Sequence, residues 1–461
     1  MLSKRVVEEV LGNAMRSGGD FAEIFFEDTI NNSIEMVNGK VEKSITGRVH
    51  GAGIRIYKGL NSIYAYTNDT SLKSLIETAH KAASAVGDIK GVVNLDINVT
   101  ERVNTNIHPV IYVPSSVSAA RKIERMREAS AAIKEYSDEI VQAMVYFGDN
   151  DQRVLIANTE GLYTTDRRIR NRMFLISVAS DGKENQTGTQ GPGALRGFEM
   201  FEELDLRSLG REASRISTTM LHAEACPAGK MPVIIDNGFG GVVFHEACGH
   251  SLEATSVAKG NSVFCDKIGE QIASTKVTAI DDGTLANEWG SINIDDEGTP
   301  GRKNILIEDG ILKGYLVDRL NGRRMNMEST GSARRESYKY APTSRMTNTF
   351  IAPGNDDEKD IIKSIDNGLY AKKMGGGSVN TVTGEFNFSV QEGYMIKNGE
   401  IDRPVRGATL IGKGADILMN IDMVGKNLDH GQGMCGSSSG SVPTNLGQPM
   451  IRVSEITVGG R

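Results

Sequence analysis

Three Asn-Gly or Asp-Gly steps, each set between arms of alternating apolar and polar residues, do most to limit what this chain of 461 residues can fold into. They are Asn38-Gly39 in SIEMVNGKVEKSI, Asp309-Gly310 in LIEDGILKGYL and Asn398-Gly399 in MIKNGEIDRPV. Both positions of a two-residue hairpin turn need positive φ, which glycine adopts freely and Asn or Asp tolerates. Each step therefore predicts a tight antiparallel hairpin, and together they put antiparallel sheet in both halves of the chain. The last two are of one type and too few to establish a repeat architecture.

Helical periodicities lie between the strands. The opening MLSKRVVEEVLGNAMRSGGD puts Val6, Val7, Val10, Leu11 and Ala14 on one stripe and stops at Ser17-Gly18-Gly19, which reads as an amphipathic helix. Further helices are expected at about 70–86, at 115–137 and from Phe201 to about Ala223. Strands are expected around VQAMVYFGD, RVLIANTEGLYTTDRR and RMFLISVASDG, and again at Met231 to Asp236, beyond which the chain is mostly β. The length exceeds one typical core. The expectation is an α+β protein with its domain boundary near 220–230. Residues 1–225 would form a domain mixing helices with antiparallel strands, and 226–461 a β-rich domain carrying a histidine-bearing helix.

A net charge of −7 argues against a protein whose main task is gripping phosphate backbones. RRIRNR, from Arg167 to Arg172, packs four arginines into six positions, which could form a local basic groove but is expected to be a solvated strand or helix face. The acidic residues near the start do not fit a signal peptide, and no apolar run is long enough to span a bilayer. Cys226, Cys248, Cys265 and Cys435 have no framework spacing and read as reduced thiols or metal ligands. A cytoplasmic protein with neither nucleic acid nor membrane as a partner is expected.

The chemistry is concentrated in GGVVFHEACGHSLEA, Gly240 to Ala254. Glu246 follows His245 as the base follows the first ligand in HExxH zinc hydrolases. The second histidine, however, is His250, one position later than that pattern requires. Residues five apart lie about 140° apart around a regular helix, on different faces. A π-type bulge would align them, and Gly249 would ease it. The competing reading is two unrelated histidines on a packed helix. By residue type, a third ligand could come from Glu253, Cys248, Cys265, His222, His430 or Cys435. Cys248 reads better as a small core residue, and Glu253 is too near in sequence to reach easily. Cys435 stands apart in DHGQGMCGSSSG, where glycines leave a thiol on bare, tightly turning backbone.

The second half strongly resembles the TldD/PmbA family of metallopeptidases. The resemblance is carried by HEACGHSLEA, TAIDDGT, INIDDEGTPG, ILKGYLVDRLNGRRM, GSARRESYKYAPTSRMTNTFIAPG, YAKKMGGGSVNTVTGEFNFSV, GATLIGKG, IDMVG, the GxGxCG run at 431–436 and the GQP at 447–449. A weaker match covers the first half. Because the chain keeps both the HExxxH helix and the late cysteine, it resembles the catalytic TldD-type members. The resemblance implies zinc held by His245, His250 and Cys435, with Glu246 as the general base for a metal-activated water. It also implies unfolded or small peptides as substrates, and a dimer with itself or with a TldE/PmbA-type chain.

Other stretches leave alternatives open. MGGGSVN, at 374–380, could offer a strand edge to an extended peptide or be a plain sheet edge with a glycine bulge. In ARRESYKY, Arg334, Arg335, Tyr338 and Tyr340 could grip a peptide carboxylate, polarise the scissile carbonyl or form a structural salt-bridge cluster. The acids of IDDEGTPG read better as turn chemistry than as a hard-cation site. The alternative function is a non-catalytic binding partner with a structural zinc, including a gyrase-modulator role, its metal closed by Cys248 or Glu253.

Overall fold

The computed structural model describes residues 1–87, 97–380 and 383–460. All three predicted turns form: Asn38 and Gly39 have φ of 48° and 78°, Asp309 and Gly310 48° and 82°, and Asn398 and Gly399 52° and 77°. The fold is α+β. No helix among the described residues is long and apolar enough to cross a membrane.

The first half is one eight-stranded sheet whose centre is the antiparallel set Lys40–Lys58, Phe21–Val37, Ile140–Asn158 and Leu162–Ser180. These strands run longer than the sequence reading allowed. FAEIFFED and SIEMV belong to one strand, as do VQAMVYFGD and RVLIAN. The polar residues between them, which resemble turn formers, are instead paired across the sheet. Asn150 Nδ2 donates to Asn31 Oδ1 at 3.0 Å, and Asn32 Nδ2 to Asp149 Oδ1 at 2.7 Å.

Alternation then gives the sheet two characters. Ala22, Ile24 and Phe26 pack against the helices Lys4–Ala14 and Leu72–Val86, while Ile34 and Met36, on the same face, pack with Ala119–Lys134 and Leu206–Leu221. The segment predicted as one helix from Phe201 is two, Glu199–Glu203 and Leu206–Leu221, because Asp205 caps the second by accepting from Ser208 N–H. The opposite face carries Glu23, Phe25 and Glu27 and meets the second half of the chain.

The second half holds two further large sheets and a two-stranded ribbon, Ala333–Arg334 with Thr343–Ser344. In one, Asn367–Val379, Gly229–Ile235, Ile451–Gly459, Thr409–Lys413 and Glu385–Lys397 pair in that order, and the last pairs back to the first. The five strands therefore close a ring. The other sheet runs Ile311–Leu312, Lys303–Glu308, Ala279–Asp282, Asn348–Ile351, Gly440–Gln448, Asp429–Ser437, with the last strand at its edge. A shared core joins Val233, Leu369, Phe388 and Leu410 of the ring to Val243, Phe244 and Leu252 of the histidine segment.

The seam between the halves corrects the expected solvated face. Arg168, Arg170 and Arg172 alternate onto the side of Leu162–Ser180 that meets the second half. Arg168 pairs with Asp296 at 2.7 Å and donates to Ile294 O, Arg170 donates to the carbonyls of Trp289 and Ser291, and Arg172 donates to Gln432 O. Of the four arginines Arg167 keeps to the exposed side, bonded to Asp151. Periodicity of 2 sends alternate residues to opposite faces, and a charge run on a long strand is buried wherever another sheet covers that face. ARRESYKY and IDDEGTPG meet the same seam. Arg335 donates to Glu23 Oε1 at 3.0 Å, Arg55 bonds both Glu23 and Glu297, and Arg334 donates to Met346 O. Asp295 accepts from Glu297 N–H and Thr299 N–H, the turn chemistry expected of it.

Candidate metal centre

The histidine segment begins with a close approach. The chain leaves Ile235, turns through Phe239–Gly241 and enters the α-helix Val242–Ala247. A Cβ on Gly241 would sit 2.5 Å from the backbone of Gly447, so only glycine lets the helix start seat on the Gly440–Gln448 strand. Val242, Val243, Phe244, His245 and Ala247 are buried, which leaves Glu246 as the one residue of the helix not fully enclosed.

The five-residue spacing is resolved without a π bulge. The helix ends at Ala247, Cys248 takes φ −130° and ψ −46°, and Gly249–Leu252 forms a 3₁₀ turn. The break swings His250 round to His245: their rings lie 5.1 Å apart at an interplanar angle of 81°. Gly249 serves packing rather than helix distortion, because a Cβ there would lie 2.3 Å from Met346 Sδ.

Cys435 comes to this point on the edge strand Asp429–Ser437, opposite Val442. The backbone there is extended, not tightly turning, and the turn comes later, at Ser438-Ser439, before Gly440 opens the next strand with φ 85°. Cys435 Sγ is 3.3 Å from His245 Nε2 and 3.3 Å from His250 Nε2. One ligand atom from each of the three lies within 4.8 Å of the others, and all three side chains are buried. Glu246 Oε2 stands 3.6 Å from the same His250 Nε2.

The remaining third-ligand candidates lie elsewhere. Cys248 Sγ faces Gly414 O at 3.6 Å, Cys265 Sγ faces Val257 O, and His222 pairs with Glu139 in the first half. His430 packs its ring edge-on against Phe350. Glu253 is close, but on the other side of the ring, with Oε2 3.2 Å from His250 Nδ1. That is the placement of a carboxylate that fixes a ligand's tautomer and orientation. Sequence reasoning weighed Glu253 only as a ligand; its i,i+3 relation to His250 on a tight turn was the available clue.

Electrostatics suit a cation. Burial, with His250 and Arg345 nearby, pushes the His245 pKa well below its ordinary value, so the ring is neutral and its lone pair free. For His250, burial pulls down, but the Glu253 carboxylate and the Cys435 sulfur outweigh it and hold the pKa well above the usual range. A position that draws a proton to His250 Nε2 would draw a metal ion to the same point. Burial raises the Glu246 carboxyl, partly opposed by His250. Two imidazoles and a thiolate form a donor set of the kind that binds zinc.

A cleft of 1320 Å³ lies between the halves; none of His245, Glu246, His250 and Cys435 lines it, but their neighbours in sequence do. Its wall includes Met434, next to Cys435, and Gly240 before the helix, together with Met374, Gly375 and Gly376. The last three lie where the pairing of Asn367–Val379 with Glu385–Lys397 slips register.

Comparison with known proteins finds relatives over most of the chain. Three family models match: PmbA/TldA metallopeptidase domain 1 over residues 22–85, the central domain over 112–221 and the C-terminal domain over 228–460. A Buchnera aphidicola protein named metalloprotease TldD homolog is 35% identical, covering 96% of this chain and 93% of that one. A Haemophilus influenzae protein of the same name is 36% identical with the same coverage. A zinc metalloprotease TldD homolog of Saccharolobus solfataricus is 26% identical over 96% of this chain and 97% of its own. Among solved structures, a candidate DNA gyrase modulator from Thermotoga maritima superposes with a TM-score of 0.80 at 21% identity, covering 99% of both chains. TldE from Thermococcus kodakarensis gives 0.76 at 18%, covering 99% of this chain and 100% of that one. This chain belongs to the PmbA/TldD family of metallopeptidases.

Proposed function

We propose that the protein is a zinc-dependent peptidase acting on unfolded or small peptides, with His245, His250 and Cys435 as metal ligands and Glu246 as general base. The observation that carries this reading is the convergence of the three ligand atoms within 4.8 Å, from two segments far apart in sequence. Zinc held there would supply a Lewis acid and lower the pKa of a water at its open position.

The chain's own residues do the rest. Glu253 keeps His250 turned so that Nε2 faces Cys435. Glu246, its carboxyl raised by burial, takes a proton from the attacking water as the oxygen adds to the scissile carbonyl. It then returns that proton to the departing amine as the C–N bond breaks, so the carboxylate is regenerated. The edge at Met374–Gly376 in the cleft wall favours an extended peptide held by main-chain bonds. Folded proteins present few such segments. The reading extends to a dimer, with a second copy or with a TldE/PmbA-type chain.

The structural-zinc alternative gains no support from the residues meant to close the site, since Cys248 and Glu253 point elsewhere. The test is metal content per chain, wild type against Cys435→Ser. About one zinc in the wild type and marked loss in the variant are expected. Zinc retained in full by Cys435→Ser would remove Cys435 from the site.

A further inference from the structure

We propose that Arg345 is the positioning residue that locks the two segments of the metal site into one geometry, an inference that rests on the ligand set proposed above. Its side chain is fully buried, and its guanidinium works in two directions. Toward the hairpin that carries Cys435, one terminal nitrogen donates to Ser439 Oγ at 3.0 Å and Gly440 O at 2.8 Å, while the other donates to the carbonyl of Cys435 itself. Toward the histidine segment, its Nε lies 4.0 Å from Glu253 Oε1, an ion-pair contact rather than a hydrogen bond. The other oxygen of that carboxylate is the one 3.2 Å from His250 Nδ1. One side chain thus bridges from the peptide unit of one ligand to the carboxylate that orients another, across 185 residues of sequence.

The chemistry of the group explains the choice. Arginine presents several donors in a rigid plane, so it can hold two carbonyls and a hydroxyl at fixed angles, whereas a lysine offers one mobile point. The arginines of the seam are buried against carboxylates at bonding distance, Arg55 and Arg335 on Glu23 and Arg168 on Asp296. Arg345 is not: among the described residues Glu253 is its one carboxylate neighbour within 4.0 Å. Its burial is compensated mainly by carbonyls of the cysteine hairpin. His245 has no such support, since its Nδ1 has no hydrogen-bond partner; packing and the Nε2 contact with Cys435 hold that ring. Arg345 therefore acts on Cys435 and His250.

The experiment compares wild type, Arg345→Lys and Arg334→Lys as full chains stripped of metal and reloaded. Zinc affinity is read by competition with a chromophoric chelator, and site geometry by the absorption of the cobalt(II) form, with thermal melting of the metal-free chains as a fold check. Arg334 is the control because it is buried and bonds Met346 O but, among the described residues, makes no hydrogen bond or ion pair to Cys435 or Glu253. Arg345→Lys is expected to weaken zinc by about 10- to 100-fold and to shift the cobalt spectrum. Arg334→Lys is expected to change neither, whatever its melting temperature. Should Arg345→Lys fail to fold, Ser439→Ala removes a single anchor and is expected to weaken zinc a few-fold. Wild-type affinity and spectrum in Arg345→Lys, or in Ser439→Ala where it replaces it, overturn the proposal. Equal weakening by Arg334→Lys overturns it as well. A wild-type chain that takes up no zinc overturns the peptidase reading itself, an outcome distinct from a wild type that binds and an Arg345 variant that binds equally.

Discussion

The seam between the halves and the cluster at the end of the short helix are both buried and both built from ionisable side chains, yet their charges are met differently. Glu23 in the seam lies 2.8 Å from Arg55 and 3.0 Å from Arg335. Burial alone would raise its pKa, but the two guanidinium groups outweigh it and leave the carboxyl below its ordinary value. Glu246 in the cluster has His250 at 3.6 Å and, without an ion pair, Arg345 to oppose its burial; with Glu253 adding repulsion burial wins, so its carboxyl rises. The same residue type is thus a fixed anion in one place and, in the proposed reaction, a proton carrier in the other. A buried acid paired to arginine holds the fold, whereas one left beside an imidazole stays available for proton transfer.

Variants that separate these roles sharpen the contrast. The largest expected effect is on catalysis: Glu246→Gln should retain zinc and lose peptide cleavage by about 10²- to 10⁴-fold, read from initial rates on an unstructured peptide. Cleavage at the wild-type rate would remove Glu246 from the reaction. Next is Arg335→Ala, which leaves Glu23 with one partner fewer and should cost about 3–5 kcal/mol in denaturant unfolding. Zinc affinity of the folded variant should not change, and a parallel loss of metal would show that seam and cluster are one unit.

The smallest effect concerns pH. Burial lowers the pKa of His108 to about 4, and its Nδ1 accepts the Asn287 N–H across the seam at 3.0 Å. A histidine lowered in the folded state contributes stability that is full above its unfolded pKa of about 6.5 and is lost as pH falls toward 4. Melting temperature should therefore drop between those values, and His108→Gln should flatten that part of the profile. An unchanged slope in the variant would assign the acid sensitivity to other groups.

Much of the site was legible because its markers are short. His245, Glu246, His250 and Cys435 stand out by residue type and by resemblance to a family, and the structure brings the three proposed ligands together. How the spacing would be accommodated was not legible. A π bulge and a helix broken at Cys248 both place residues five apart on one side, and only the packing of Gly249 on Met346 accompanies the second. The roles of Glu253 and Arg345 were also hidden, because each depends on which ring nitrogen or carbonyl a distant segment presents.

By itself, the sequence determined what a few neighbouring residues can enforce. Positive φ at three Xaa-Gly steps, alternation along the strands and the stripe on the first helix are local steric and solvation preferences, and all appear in the fold. Tertiary structure decided which faces meet water. RRIRNR reads as a solvated stretch until a second sheet covers its alternate arginines, and FAEIFFED and SIEMV read as separate strands until Asn31 and Asn32 find partners across the sheet. The reason is common to both: the cost of burying a polar group depends on the partner it finds, and here those partners lie more than 100 residues away in sequence.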